Sequence, residues 1–157
     1  MHTLLITDDH PSVLHTLEFV LASAELHVLV AESGAAALER IEQEPVHAAL
    51  IDLHMPTMDG LTLTRELKAR AAKLGRGLPI WIMTAAPTAG AAEQARLDGA
   101  EGMLKKPFDA DAFRVSCCAT WPPPPLRPSC RRKRRCRAKR FTSQAPAARN
   151  PRQRGSP

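Results

Sequence analysis

The sequence predicts an α/β fold, a doubly wound five-stranded parallel sheet built as (βα)5 over residues 1–120. Two observations carry that prediction. Five short apolar runs alternate with five stretches whose apolar residues recur at helical spacing. The runs are apolar nearly throughout, which is how strands covered on both faces read. A third observation bounds the domain. Residues 1–120 hold 10 Lys+Arg against 16 Asp+Glu, and residues 121–157 hold 12 Lys+Arg and no acid. The net charge of +6 therefore describes neither part.

The first strand is Thr3-Leu4-Leu5-Ile6-Thr7, ending in Asp8-Asp9. His10-Pro11-Ser12 opens a helix, with proline suited to the first turn. Leu14, Leu17 and Leu21, with Val13 and Val20, form its apolar stripe. Leu26-His27-Val28-Leu29-Val30 is the second strand. Gly34 starts a helix through Ala37, Leu38 and Ile41 that ends by Pro45. Ala48-Ala49-Leu50-Ile51 is the third strand, ending at Asp52. Pro56 and Gly60 mark a loop; Leu63, Leu67 and Ala71 stripe the next helix, and Gly75 and Gly77 stop it. Pro79-Ile80-Trp81-Ile82-Met83 is the fourth strand, ending at Thr84. A helix over 88–98 is closed by Gly99. Gly102-Met103-Leu104-Lys105 is a short fifth strand before Lys106-Pro107. The last helix starts near Asp109 and must stop before Pro122, with Phe113 and Cys117 as its stripe.

From residue 121 the composition changes. Eight of the fourteen prolines and the run Arg131-Arg132-Lys133-Arg134-Arg135 lie there. Fixed φ angles, missing donors and like-charge repulsion argue for a disordered basic tail. Three readings of it stay open: a solvated polycation, a tether for nucleic acid or another polyanion, or a segment encoded in a shifted frame of a GC-rich gene. Cys117, Cys118, Cys130 and Cys136 match no paired zinc spacing and read as thiols in a reducing compartment. No run approaches the length of a membrane span. The start MHTLLITDDH has no basic signal region, so the expected location is the cytoplasm.

In a parallel sheet the ligand site lies at the carboxyl ends of the strands. Here those ends bring Asp8, Asp9, Asp52, Thr84 and Lys106 to one edge. Three carboxylates so close repel unless a cation neutralises them, and a hard, oxygen-seeking ion such as Mg2+ is the natural guest. A carboxylate beside such an ion is a nucleophile toward a phosphoryl group, with Lys106 and Thr84 placed to meet the phosphoryl oxygens. Taken singly, each residue has an ordinary use: Asp8 or Asp9 as a helix cap, Asp52 in a loop, Lys106 on the surface. His10 and the other histidines read as loop or surface residues.

The segment Asp52-Leu53-His54-Met55-Pro56-Thr57-Met58-Asp59-Gly60 resembles the phosphoacceptor motif of two-component response-regulator receiver domains. Ile6-Thr7-Asp8-Asp9-His10-Pro11 resembles the family's acidic pair. Pro79 to Ala85 resembles its switch strand, and Leu104-Lys105-Lys106-Pro107-Phe108 its lysine motif. Four motifs in register, over residues 3–115, make the resemblance specific. It implies the flavodoxin-like strand order 2-1-3-4-5. It implies Asp52 as phosphoacceptor, and Asp8, Asp9, Asp52 and the His54 carbonyl as the Mg2+ set. It implies Thr84 and Lys106, not Lys105, on the phosphoryl group. The donor would be a histidine kinase or histidine phosphotransfer domain, and the protein a switch that catalyses its own modification, not a metabolic enzyme.

Two departures stand out. Met103 occupies the place where the family usually has a rotating aromatic residue, and the last helix is short. A polyanion-binding protein regulated by this domain is the second functional class. A magnesium phosphohydrolase is the third, weakened because His54 stands where such enzymes carry a second acid. The Gly60-Leu61-Thr62-Leu63-Thr64-Arg65 stretch leans toward hybrid sensor kinases, while nothing after residue 120 has helix-turn-helix periodicity.

Overall fold

The computed structural model describes residues 2–120. The expected basic tail and the thiols of Cys118, Cys130 and Cys136 lie outside what it describes. Ten elements alternate strictly: β1 (His2–Thr7), α1 (Pro11–Leu21), β2 (Leu26–Ala31), α2 (Gly34–Gln43), β3 (Ala48–Asp52), α3 (Gly60–Lys73), β4 (Ile80–Thr84), α4 (Ala89–Leu97), β5 (Gly102–Lys105) and α5 (Ala110–Thr120). All strand pairs are parallel, in the order β2-β1-β3-β4-β5. That is the predicted doubly wound sheet, with ends shifted by a residue or so.

The two-residue period of a strand divides the apolar side chains between the faces. Leu4 and Ile6, Leu26 and Val28, Ala48 and Leu50, and Trp81 and Met83 pack with Leu14 and Leu21 of α1 and with Phe113 and Cys117 of α5. Leu5, Leu29, Ala31, Ala49, Ile51 and Ile80 pack with Ala37, Leu38 and Ile41 of α2 and with Leu63, Leu67 and Ala71 of α3. A smaller cluster joins Leu53 and Ile82 to Ala95 and Ala100, with Met103, Leu61 and Ala91 against it. Each fully buried Leu or Ile contributes about 1.5–3 kcal/mol, so both faces are needed. Phe113 and Cys117 are both buried, so the short α5 still closes its face.

Caps set the helix starts. Ser33 Oγ, Asp59 Oδ1 and Thr88 Oγ1 accept from the N–H groups of Ala36, Thr62 and Ala91, opening α2, α3 and α4. Asp109 Oδ1 accepts from Asp111 and Ala112 at the start of α5. Gly99, at φ +91°, ends α4 in a region only glycine adopts readily, and the Ala100 N–H reaches back to the Ala95 carbonyl at 2.9 Å. One stripe residue departs from expectation. Val20 is half-exposed beside the exposed Phe19: Leu14 and Leu21, with Leu17 against them, face the sheet, whereas Val20 lines an open groove with Val13, Thr16 and Phe108.

At the amino end of the sheet, His47 stands in for a missing strand residue. Its N–H donates to the Thr3 carbonyl at 2.9 Å, and its ring Nδ1 accepts from the Thr3 N–H at 3.0 Å. Burial holds this imidazole below its ordinary value of 6.5, and the positive charges of His2 and Arg76 act in the same direction. Protonation would turn the acceptor into a donor facing an N–H. The unfolded chain therefore takes up the proton first, and the contribution of His47 is complete above pH 6.5 and declines as pH falls below it. The stability difference between wild type and His47→Asn, read from urea midpoints, is expected to shrink between pH 7.5 and pH 5.

Candidate functional site

Strand register assembles the site. Thr7 pairs with Ile51, so Asp8 leaves β1 at the level where Asp52 ends β3. Asp52 pairs with Met83 and Thr84 with Lys105, which puts Lys106 one residue beyond the β4 edge. Backbone bonds secure these exits: Asp8 N–H to the Ala31 carbonyl at 3.3 Å, Leu53 N–H to Met83 at 2.9 Å, and Lys106 N–H to Thr84 at 2.8 Å.

Lys106 ties two carboxylates together. Its Nζ lies 2.5 Å from Asp8 Oδ2 and 2.7 Å from Asp52 Oδ1. Asp8 is fully buried and Asp52 nearly so. Lys105, its neighbour, is exposed. The second oxygen of each carboxylate is held by a backbone N–H two residues on: His10 to Asp8 Oδ1 at 2.9 Å, and His54 to Asp52 Oδ2 at 3.0 Å. Burial alone would lower the Lys106 pKa. The hydrogen bonds and charges of Asp52 and Asp8 outweigh it and hold the ammonium above its ordinary 10.5. A raised cation contributes fully below that value, and the contribution is lost only as pH climbs past the folded one.

One lysine does not balance three carboxylates. Asp9 stands at the open side of the pair, with its Oδ1 buried and accepting no hydrogen bond. The His10 ring nitrogen Nδ1 lies 2.8 Å from that oxygen and 3.3 Å from Asp8 Oδ1. Among the described residues Asp8, Asp9 and His10 form the one tight group of metal-ligand atoms, all within 4.8 Å of one another. The charge deficit and the undersatisfied Asp9 oxygen fit a divalent cation here. Asp52 joins this group through the shared lysine. The side chain of His54 is exposed. Thr84 is fully buried, its Oγ1 accepting from the Ala86 N–H at 3.3 Å.

The loop after Asp52 is built to approach closely. A Cβ on Gly60 would sit 2.4 Å from the Asp52 carbonyl oxygen and 2.9 Å from the Leu53 Cα. Only glycine lets α3 begin against the end of β3, where Gly60 N–H bonds to the Leu53 carbonyl at 2.9 Å. Thr57 has φ 73°, and the Met58 N–H reaches the Pro56 carbonyl at 2.8 Å, a strained γ-turn centred on a β-branched residue. Met58 then packs against Gly34 at the start of α2. Asp59 caps α3, and its hydrogen bonds from Thr62 hold its carboxyl below the usual range. His10 is exposed in the loop between β1 and α1, as the sequence reading has it, with its ring beside Asp9. Sequence reasoning missed the strained Thr57, which left no signal.

Residues 4–116 match the response regulator receiver domain family. The DNA-binding transcriptional regulator NtrC of Escherichia coli (strain K12) is 40% identical over 106 residues, covering 68% of this chain and 22% of that protein. The transcriptional regulatory protein GlrR of the same strain is 38% identical over 110 residues, 70% of this chain and 24% of that one. The chain thus spans about a quarter of the curated relatives it matches. These relatives are transcriptional regulators, whereas the Gly60–Arg65 stretch leaned toward hybrid kinases. Chemotaxis protein CheY4 of Vibrio cholerae superposes with a TM-score of 0.68 at 23% identity, over 76% of this chain and 98% of that one. A receiver domain protein of Methanospirillum hungatei JF-1 gives the same score and identity over 92% of its chain.

Two substitutions test the geometry. Gly60→Ala sets a Cβ against backbone that cannot yield, and is expected to lower stability by about 2 kcal/mol, as overpacking does. Lys106→Met leaves Asp8 and Asp52 facing each other without a counter-charge. It is expected to lower stability by about 3 kcal/mol, the low end for breaking a buried pair. Denaturant midpoints measure both.

Proposed function

The chain belongs to the response regulator receiver domain family, and from that premise we propose that it takes a phosphoryl group onto Asp52 from a histidine kinase or a histidine phosphotransfer domain. Receiver domains are signalling switches of two-component systems. The observation that carries the assignment to Asp52 is the Lys106 bridge. Lys106 Nζ and a backbone N–H hold Asp8 and Asp52 alike, but Asp8 is wholly buried whereas Asp52 keeps some exposure, so Asp52 is the bridged carboxylate that an incoming phosphoryl group can reach.

In this reading an Asp52 oxygen attacks phosphorus in line, the bond from phosphorus to the donor imidazole nitrogen breaks, and that nitrogen leaves with the electron pair. Lys106 exchanges its contact with Asp52 for one with a phosphoryl oxygen, keeping Asp8 as its fixed partner. Thr84 turns its hydroxyl from the Ala86 N–H toward the same group. Asp8, Asp9, Asp52 and the His54 carbonyl would hold Mg2+. When bound, that ion supplies the charge that lets the carboxylates and the phosphoryl oxygens share one edge. Hydrolysis of the aspartyl phosphate resets the switch.

Met103 is the proposed readout. It lies three residues before Lys106 and packs in the cluster with Leu53, which follows Asp52, and Ile82, which precedes Thr84 by two. An unbranched thioether can repack there when Thr84 moves. The switch domain is proposed to be residues 1–120, with the basic segment 121–157 as an appendage. A cytoplasmic site of action fits, and among the described residues no helix is long and apolar enough to cross a membrane.

Intact mass after incubation with Mg2+ and a small-molecule phosphodonor tests this. The expected gain is about 80 Da, one PO3H on a carboxylate. It should require Mg2+ and vanish in Asp52→Asn. A gain that persists in that variant would move the phosphoacceptor elsewhere.

A further inference from the structure

We propose that the imidazole of His10 is a direct ligand of the divalent cation at this site, so that the site favours nitrogen-accepting first-row ions such as Co2+ and Zn2+ over Mg2+ more strongly than its carboxylates alone would. The proposal rests on the preceding reading only in taking this edge of the sheet as a cation site.

His10 Nδ1, Asp9 and Asp8 offer donor atoms within 4.8 Å of one another. A single ion with bonds of about 2 Å to nitrogen and oxygen spans such a set. The backbone that carries the mostly exposed ring is held from both sides. Its backbone N–H is fixed by Asp8 Oδ1 at 2.9 Å, and Pro11 restricts residue 10 to extended conformations, which it adopts at φ −104° and ψ 106°. His10 occupies the N-cap of α1, yet its side chain makes no cap hydrogen bond. Its ring nitrogen stands instead 2.8 Å from Asp9 Oδ1, a buried oxygen that accepts no hydrogen bond.

Donor chemistry then sets the preference. Mg2+ demands oxygen and keeps its waters. Imidazole suits the later first-row ions, and affinity for a mixed nitrogen–oxygen set rises along that series. Asp8 already shares its charge with Lys106, so the ring supplies a donor that the pair of aspartates lacks.

The experiment titrates the metal-free full-length chain separately with Co2+ and Mg2+, as wild type, His10→Ala and Asp9→Asn, with binding constants and paramagnetic proton NMR as readouts. Wild type with Co2+ is expected to show a strongly shifted, exchangeable ring N–H signal that both substitutions remove. His10→Ala is expected to lower Co2+ affinity about tenfold or more, by analogy with the loss of metal-site partners, and to leave Mg2+ affinity within about twofold. Equal affinities for Co2+ in wild type and His10→Ala, or a shifted signal indifferent to both substitutions, would overturn the proposal. Mg2+ binding that survives such a result leaves the cation site standing; absence of Mg2+ binding in the wild type would sink the site itself.

Discussion

The Lys106 ammonium between Asp8 and Asp52 is the interaction on which the rest of this molecule depends. Two buried carboxylates at adjacent strand ends would repel with no counter-charge between them. Lys106 reaches them from a strand two places away from β3 and three from β1 in the sheet order. That reach is possible only if β3 and β4 lie between, in the observed register and all parallel. The order of the sheet and the survival of the charges are therefore one constraint.

The surroundings of Asp52 are rigid where the acidic cluster is open. Gly60 presses the start of α3 against the Asp52 carbonyl, and Met58 packs the loop onto the start of α2. Between them Thr57 carries a conformation that a β-branched residue avoids. On the other side Leu53 packs with Ile82, Ala95 and Ala100, with Met103 against them. The end of β3 is thus held against α2 and α3 on one side and against the α4–β5 cluster on the other.

Much of this was legible in the sequence because it follows from periodicity. Near-continuous apolar runs such as Ala48–Ile51 announce a strand buried on both faces, and the rule for parallel sheets then puts Asp8, Asp9, Asp52, Thr84 and Lys106 on one edge. What failed depends on three-dimensional neighbours. Val20 fits a helical stripe, yet it lines an open groove between α1 and the segment after Lys106. His10 is the exposed loop residue that the sequence suggests, but the meeting of its ring with Asp9 is set by a side-chain direction, which spacing does not encode. His47 replaces a ladder bond that only the offset between β1 and β3 leaves vacant.

One aromatic arrangement gives the molecule an optical property. Trp81, buried in β4 three residues before Thr84, meets Phe113 of α5 edge-on at 5.6 Å, and Phe113 meets Phe108, two residues past Lys106, at 5.7 Å. Through Phe113 the indole of β4 is linked to the segment after Lys106. The chain has no tyrosine and one other tryptophan, Trp121, so in a Trp121→Phe background the emission of Trp81 is a native fluorophore for the sheet edge, and a shift in its colour or quenching would report motion of β4 or of the segment after Lys106 without any attached label.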